Sequence, residues 1–154
     1  MAKKQVKVTW GDLDALCDGL ASRIRESKAE FDMMIAIARG GFVPARILSD
    51  RLSFRTLTSM GMVFYEYDKR HENPVITYFD PACVRGKRVL LVDDVSDSGK
   101  SLILAKKSIM DAGAKSVLVA TVHIKPGTQF MPDFYAASID GWIEYPWEPK
   151  EAGR

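Results

Sequence analysis

Three carboxylates, Asp93, Asp94 and Asp97, follow the apolar run Val89 to Val92 within five residues, and the sequence Ser-Gly-Lys-Ser comes directly after them. An apolar run without polar alternation is typical of a strand that is buried on both faces, as in parallel sheets. Buried carboxylates are costly unless they meet a cation, hydroxyl groups or backbone donors. We therefore expect these acids at the carboxyl end of the strand, which is where open α/β sheets bind ligands.

The residues around the carboxylates rule out three familiar motifs. A P-loop needs glycine at position 94, which is Asp94, and an EF-hand beginning there needs glutamate at position 105, which is Ala105. A dinucleotide-binding fingerprint fails because Gly99 is the only glycine in the stretch 89–102. What remains is a strand, a turn of small residues and a helix beginning near Ser101, whose free N–H groups would form a cradle for a phosphate.

Alternating helices and strands must position this cradle. Thr9 and Asp12 have the spacing of a capping box, and apolar residues at helical spacing predict a first helix over residues 10–26. Residues 31–38 (FDMMIAIA) predict a buried strand, and Val43-Pro44 predicts a helix with proline in its first turn. Further strands are predicted at 57–67, 75–79, 88–92, 116–124 and 142–144, a helix at 101–111, and loops at 68–74 and 125–134.

Strands that alternate with helices favour a mostly parallel sheet with right-handed crossovers. The predicted fold class is therefore α/β, a Rossmann-like sheet flanked by helices. The chain has 154 residues and neither repeats nor a low-complexity linker, so we expect a single domain over residues 1–154.

The composition excludes several kinds of partner. The 22 basic and 20 acidic residues are spread along the sequence, with no basic block of the kind that binds nucleic acid. No run approaches transmembrane length, and the basic N-terminus lacks the apolar core of a signal peptide. Cys17 and Cys83 lack metal-ligand spacing, so we expect reduced thiols in a cytoplasmic protein; neither they nor His71 and His123 are predicted to be catalytic.

The stretch 89–102 resembles the motif with which type I phosphoribosyltransferases bind 5-phosphoribosyl 1-diphosphate (PRPP). The resemblance implies that Asp93 and Asp94 hold the ribose hydroxyls, directly or through Mg²⁺. It further implies that the 5′-phosphate is bound by the residues that follow, namely Asp97, Ser98, Gly99, Lys100 and Ser101. Serine stands at 98 and 101, where threonine is commoner in the family, and it keeps the hydroxyl.

Two more sites of this family have counterparts here. The loop that binds diphosphate through backbone N–H groups corresponds to Ala38, Arg39, Gly40 and Gly41, although Arg-Gly-Gly can also be a plain turn. Lys125 is placed like the family lysine that donates to O6 of a 6-oxopurine. Trp142 and Ile143 resemble the base-stacking segment of bacterial xanthine-guanine phosphoribosyltransferases and their archaeal relatives, with core packing as the alternative for Trp142.

The order of motifs resembles that of purine phosphoribosyltransferases of the xanthine-guanine or hypoxanthine-guanine type over nearly the whole chain. The resemblance implies transfer of the 5-phosphoribosyl group from PRPP to a 6-oxopurine in purine salvage, with Mg²⁺ as cofactor and a small hood region beside the sheet. It implies that Asp97 is the acid/base at purine N7, whereas a helix cap is the structural alternative. Relatives are commonly dimers or tetramers, so a homo-oligomer is expected.

Two other functions stay open. A PRPP-binding regulator would keep the ribose-phosphate site but sense nucleic acid or another protein. A transferase with a different acceptor, such as a pyrimidine, is disfavoured by Lys125 and Trp142. The region 62–74 corresponds to a loop that closes over the reacting centre in the family, and Tyr65, Lys69 and Arg70 are candidates there without an assigned role.

Overall fold

The computed structural model describes residues 4–66 and 69–148, and it describes no side chain between residues 65 and 72. Tyr67, the predicted end of a strand, and Asp68, the predicted start of a loop, therefore lie outside the described residues. The candidate side chains of the closing loop, those of Tyr65, Lys69 and Arg70, lie outside them as well, as does that of His71. Within the described ranges, no helix has the length and apolar character needed to cross a membrane.

A six-stranded sheet organises the chain, with strands in the order β4-β3-β2-β5-β6-β7 and only the β3–β4 pair antiparallel. A separate pair of short parallel strands, β1 and β8, lies apart from it. This arrangement confirms the predicted α/β class. In chain order the elements are β1 (Gln5–Lys7), α1 (Trp10–Glu26), β2 (Met33–Ala38), α2 (Phe42–Arg51), β3 (Leu57–Glu66), β4 (Lys69–Tyr78), a 3-10 turn (Pro81–Val84), β5 (Arg88–Ser96), α3 (Lys100–Asp111), β6 (Ser116–Ile124), β7 (Phe134–Ser138) and β8 (Trp142–Glu144).

Helix α1 begins where its capping box predicts. The Thr9 hydroxyl accepts from the Asp12 N–H at 3.1 Å, and the Asp12 carboxylate accepts from the Thr9 N–H at 2.9 Å. These two bonds satisfy backbone donors that a helix N-terminus otherwise leaves free. The predicted apolar face of α1 is buried, and Cys17 lies within it as a small apolar residue.

The central strands are buried on both faces, as their continuous apolar sequences predict. One face packs against α1 and α2, with Leu20, Met34, Leu48 and Leu90 among the buried side chains. The other face packs against α3. Ile35, Leu91 and Val119, which alternate with the first set along the strands, form one cluster with Leu102 and Ile109 of the helix. Because both faces of β2 and β5 are covered by apolar contacts, only the ends of these strands are available to ligands.

Two details of the predicted elements are wrong. Residues 69–74, predicted as a loop, belong to β4, because a polar edge strand carries no apolar run to reveal it. The strand predicted at 88–92 continues to Ser96, so Asp93 and Asp94 lie within its last four residues rather than beyond its end. Asp93 and Val95 stay in register with Thr121 and His123 of β6, which extends the ladder.

Strands β1 and β7, which are short, were not predicted. β1 pairs with β8, and the Val8 N–H donates to the Glu144 carbonyl at 2.9 Å. Gly141 precedes β8 with φ of 137°, and a Cβ there would lie 2.2 Å from the Lys4 carbonyl oxygen. The close approach of these two backbones therefore requires glycine. We call the β1–β8 pair the hood.

Candidate active site

The crevice of the sheet opens between β2 and β5, which are adjacent at its centre. The chain leaves them in opposite directions, because α2 leads from β2 to β3 and α3 leads from β5 to β6. Open α/β sheets bind ligands at such a divergence, outside the carboxyl ends of the strands. The crevice is bordered by the loop at 39–41 and by residues 93–99, so two of the predicted sites are neighbours.

The acidic pair is held in fixed positions by the backbone of β5. Asp93 is only 9% exposed, and its Oδ1 accepts from the Asp94 N–H at 2.9 Å. The Asp94 Oδ1 accepts from the Val95 N–H at 2.7 Å.

Burial, and then the charge of the adjacent Asp94, raise the pKa of Asp93 well above its ordinary value. Burial raises the pKa of Asp94 to about 6, and the charge of Glu148 adds to this rise. Ionised carboxylates are thus costly here, and a cation or hydroxyl donors would relieve the cost.

The glycine loop after β2 lies directly against Asp94. A Cβ on Gly40 would be 2.3 Å from the Asp94 Oδ2, and one on Gly41 would be 2.5 Å from the Val92 carbonyl oxygen. The peptide bond between Ala38 and Arg39 is cis. Glycine therefore lets this loop lie closer to the acidic strand than any side chain would permit.

A pocket of about 480 Å³ lies beside this loop and is lined by Arg39, Gly40, Asp94, Trp147 and Glu148. The N–H groups of Arg39 and Gly40 have no hydrogen-bond acceptor within the described part of the chain. A cationic side chain and free N–H groups suit an anion in this pocket. Of the four residues predicted to bind diphosphate, Arg39 and Gly40 therefore have available N–H groups, whereas the Gly41 N–H donates to the Ile37 carbonyl at 2.8 Å. The role itself stays a prediction.

The predicted phosphate cradle forms the start of α3. Gly99 has φ of 85° and is the N-cap, and a Cβ there would lie 2.6 Å from the Phe130 nitrogen. The Lys100 N–H points to the Ser98 hydroxyl at 3.3 Å. Among residues 4–66 and 69–148, no acceptor is found for the N–H groups of Asp97, Ser98, Gly99 and Ser101. Free donors at a helix N-terminus suit a phosphate.

Lys125 lies near both Asp97, a residue of the cradle, and Trp142 of β8. The Lys125 Nζ lies 3.3 Å from the Asp97 Oδ2 and 5.9 Å from the centroid of the Trp142 ring. The Lys125 side chain is 18% exposed and that of Asp97 is 66% exposed. Asp97 therefore makes an ion pair with Lys125, and in the described ranges its carboxylate accepts from no N–H group in the first turn of α3. Trp142 is 59% exposed, so the alternative of core packing does not apply to its side chain.

Ile143 faces the other way from Trp142. Its side chain is 6% exposed and packs with Val8, Leu13 and Cys17. The backbones of Trp142 and Glu144 bond to β1, so the alternation of a parallel ladder turns the N–H and carbonyl of Ile143 to the opposite edge. Any contact of Ile143 with a ligand at that edge would come from its backbone.

Sequence reasoning missed the part that Tyr145 and Glu148 have in the site. The Tyr145 hydroxyl lies 3.2 Å from the Asp94 carbonyl oxygen, and its ring stacks on Trp147 with centroids 4.5 Å apart. Trp147 also lines the 480 Å³ pocket with Glu148. The aromatic and acidic composition of YPWE was the available signal.

The donor chemistry of the acidic pair fits Mg²⁺. Mg²⁺ is commonly bound by one or two carboxylates together with substrate phosphates and water, and the buried Asp93 and the half-buried Asp94 supply two carboxylates side by side. In the described ranges, no group of three or more His, Cys, Asp or Glu side chains is arranged to hold a metal by itself. Cys17 is buried away from the crevice, and burial raises the pKa of its thiol to about 12, which keeps it unreactive.

Comparisons with known proteins agree with this geometry. The model of the phosphoribosyl transferase domain matches residues 9–152. The crystal structure of a purine phosphoribosyltransferase from Pyrococcus horikoshii is 36% identical, with 97% of each chain covered and a TM-score of 0.82. A hypothetical protein from Neisseria gonorrhoeae, solved with bound ppGpp, is 29% identical, covers 98% of this chain and 93% of its own, and has a TM-score of 0.85.

The xanthine-guanine-hypoxanthine phosphoribosyltransferase of Helicobacter pylori shares the fold at 17% identity, with 94% of this chain and 93% of that chain covered and a TM-score of 0.77. The domain match spans most of the sequence, including the acidic strand, the glycine loop, Lys125 and the hood strand β8. The chain belongs to the phosphoribosyltransferase family of enzymes.

Proposed function

We propose that the protein is a purine phosphoribosyltransferase that transfers the 5-phosphoribosyl group of PRPP to a 6-oxopurine, either hypoxanthine, guanine or xanthine. The products are a nucleoside monophosphate and diphosphate, and the role is purine salvage. The observation that carries the proposal is the position of Lys125, whose ammonium group lies 3.3 Å from the carboxylate of Asp97 in the cradle and 5.9 Å from the centroid of the Trp142 ring. A base on Trp142 would thus lie next to a ribose whose phosphate occupies the cradle.

The end of β5, the cradle and the glycine loop bind different parts of PRPP. Asp93 and Asp94 accept hydrogen bonds from the ribose hydroxyls or hold Mg²⁺, and the N–H groups from Asp97 to Ser101 bind the 5′-phosphate. The loop at 38–41 binds the diphosphate through the N–H groups of Arg39 and Gly40, with the Arg39 side chain at the same pocket. Mg²⁺, when bound, neutralises charge that develops on the leaving diphosphate.

The bond between C1 of the ribose and the diphosphate oxygen breaks as a purine nitrogen attacks C1. Negative charge grows on the diphosphate, where the N–H groups of Arg39 and Gly40 stabilise it. Asp97 handles the proton at purine N7, and its exposed carboxylate can reach a ligand on the solvent side of the cradle. In the absence of base, Lys125 neutralises Asp97; with base bound, the ammonium group turns to the O6 atom.

The 6-oxopurine follows from the chemistry of Lys125. A lysine ammonium only donates, so O6 satisfies it, whereas the amino group of adenine is itself a donor. The ppGpp that the related protein from Neisseria gonorrhoeae binds is a guanine nucleotide, which supports a guanine-like base here. The N–H and carbonyl of Ile143 point away from β1 and could bond to a substituent at the purine 2-position. Whether xanthine, which has an oxygen there, is a substrate is left to the kinetic test.

Steady-state kinetics with guanine, hypoxanthine, xanthine and adenine test the choice of base. Guanine or hypoxanthine should react at least roughly a hundredfold more efficiently than adenine, because a site built around one hydrogen bond rejects an analogue that cannot make it. Lys125→Met, which keeps the apolar stem, should lose most of this preference. Comparable kcat/KM values for adenine and guanine in the unaltered protein would remove Lys125 from the base site. The cytoplasmic location and the homo-oligomer stay predictions.

A further inference from the structure

The Tyr145 hydroxyl is a buried polar group at the junction of the sheet and the hood. Tyr145 is 3% exposed and His123 is 1% exposed. The hydroxyl lies 2.9 Å from the His123 Nδ1 and 3.2 Å from the carbonyl oxygen of Asp94. One oxygen atom therefore joins three segments that are distant in sequence.

The partners fix the direction of both hydrogen bonds. A carbonyl only accepts, so the single phenolic proton of Tyr145 goes to Asp94, and the hydroxyl must accept from the His123 Nδ1–H. Burial lowers the pKa of His123 to about 4, so the ring is neutral at pH 7 and carries its one proton on Nδ1. A neutral histidine in this tautomer, a tyrosine and a backbone carbonyl form one directed chain.

Each of the three residues in this hydrogen-bonded chain adjoins a different part of the proposed site. Asp94 belongs to the ribose-binding pair, His123 stands two residues before Lys125 on the same segment, and Tyr145 stands two residues after Ile143. The Tyr145 ring stacks on Trp147, which lines the pocket beside Arg39. The hydroxyl thus couples the ribose site, the lysine of the base site and the stacking segment.

We infer that Tyr145 is a positioning residue. Its hydroxyl fixes the position of β8, whose Trp142 is proposed to stack on the base, relative to the ribose site at Asp93 and Asp94. This inference rests on the proposed function, because it assigns the base to the hood and the ribose to β5. Tyr145 itself touches no reacting atom. The base, which carries the attacking nitrogen, and the ribose, which carries C1, are bound by different segments of the protein. Loss of the hydroxyl would let these segments shift, and small misalignments of reacting atoms slow a reaction steeply.

The first test compares Tyr145→Phe with the unaltered protein. The phenylalanine keeps the ring stack on Trp147 and removes only the hydroxyl. We expect kcat/KM for guanine to fall roughly 10- to 100-fold, with a secondary structure spectrum like that of the unaltered protein. Tyr78→Phe, at a tyrosine that is 61% exposed on β4, is the matched control and should leave kinetics unchanged. A folded Tyr145→Phe with kinetic constants within twofold of the unaltered protein would overturn the inference.

The second test compares two substitutions of His123. A positioning role predicts that the first, His123→Asn, is the more active variant, and a purely structural role predicts that the second, His123→Leu, is. Asparagine places an N–H donor near the position of Nδ1, whereas leucine fills the volume without a donor. A positioning role predicts that His123→Asn keeps activity within about threefold and that His123→Leu loses as much as Tyr145→Phe. If burial alone matters, leucine is tolerated better than asparagine, and that order contradicts the inference even if Tyr145→Phe does not fold.

The double variant and ligand binding complete the design. Tyr145→Phe combined with His123→Leu should cost no more than the larger single loss, because both remove the same bond, whereas multiplied losses would contradict a shared chain. Binding of guanosine monophosphate with Mg²⁺, measured by calorimetry, should weaken in Tyr145→Phe. An unaltered protein that neither turns over PRPP nor binds this nucleotide would overturn the proposed function and the inference together. An active unaltered protein beside an equally active Tyr145→Phe overturns the inference alone.

Discussion

Alanine at position 40 should disable the site while leaving the fold intact. The added Cβ would lie 2.3 Å from the Asp94 Oδ2 and 2.6 Å from its Cγ, against an ordinary contact distance of 3.4 Å or more. The carboxylate and the loop must therefore separate by roughly 1 Å. A displacement of that size in a group that positions substrate typically costs about 10²-fold in rate. We expect kcat/KM for PRPP to fall by about 10²-fold in Gly40→Ala.

Two other glycines provide the comparison for Gly40. A Cβ on Gly41 would meet the backbone oxygens of Val92 and Ile37 at 2.5 and 2.7 Å, so Gly41→Ala should lower the melting temperature markedly, because backbone cannot swing aside. A Cβ on Gly19, inside α1, has no atom within 4 Å, and Gly19→Ala should stabilise the protein by up to about 1 kcal/mol with unchanged kinetics.

The measurement for Gly40→Ala is steady-state kinetics at saturating base with PRPP varied, beside a thermal melt. We expect kcat/KM to fall while the melting temperature stays within a few degrees of that of the unaltered protein. A folded Gly40→Ala with kcat/KM within about threefold of the unaltered value would show that the loop need not lie against Asp94.

Three further substitutions test separate parts of the site. Asp94→Asn should bind PRPP poorly yet be more stable than the unaltered protein at pH 7.5, by up to about 3 kcal/mol, because the pKa of Asp94 is raised to about 6 and its ionised form opposes folding. The unaltered protein regains that stability as pH falls from about 6 to below about 4, because Asp94 becomes protonated. In urea titrations, the difference in the free energy of unfolding between Asp94→Asn and the unaltered protein should therefore be smaller at pH 4 than at pH 7.5. A difference that is the same at both pH values would refute the raised pKa. Asp97→Asn should keep PRPP binding but lower kcat by roughly 10²-fold or more, and near-normal turnover would reduce Asp97 to a partner of Lys125. Thr121→Val should be neutral or stabilising by about 1 kcal/mol in urea unfolding, because the buried Thr121 hydroxyl has no hydrogen-bond partner in the described ranges; clear destabilisation would reveal one.

The fold was predictable where burial dictates the sequence pattern. The capping box of Thr9 and Asp12 set the start of α1 correctly, and the continuous apolar sequence of β6 matched its bounds from Ser116 to Ile124. The edge strands were not predictable in the same way. β4 is polar at its N-terminal half and β1 has three residues, so neither carries a period that distinguishes it from a loop.

The candidate site was predictable in composition but not in its connections. Local motifs identified the acids, the cradle and the glycine loop, because backbone geometry limits which residues can stand there. The role of Tyr145 depends on His123 and Asp94, which are 22 and 51 residues away in sequence. Contacts over such separations depend on how the hood packs against the sheet, and no local pattern encodes them.

The most direct test of the central claim is to follow the reaction itself by phosphorus NMR. The protein is mixed with PRPP, Mg²⁺ and guanine, and the signals of PRPP, diphosphate and the nucleotide phosphate are recorded over time. We expect diphosphate and guanosine monophosphate to appear in equal amounts, only with Mg²⁺, and neither to form with the double variant Asp93→Ala, Asp94→Ala. Tight binding of PRPP without product from any purine or pyrimidine base would contradict the transferase function and identify a PRPP-binding regulator.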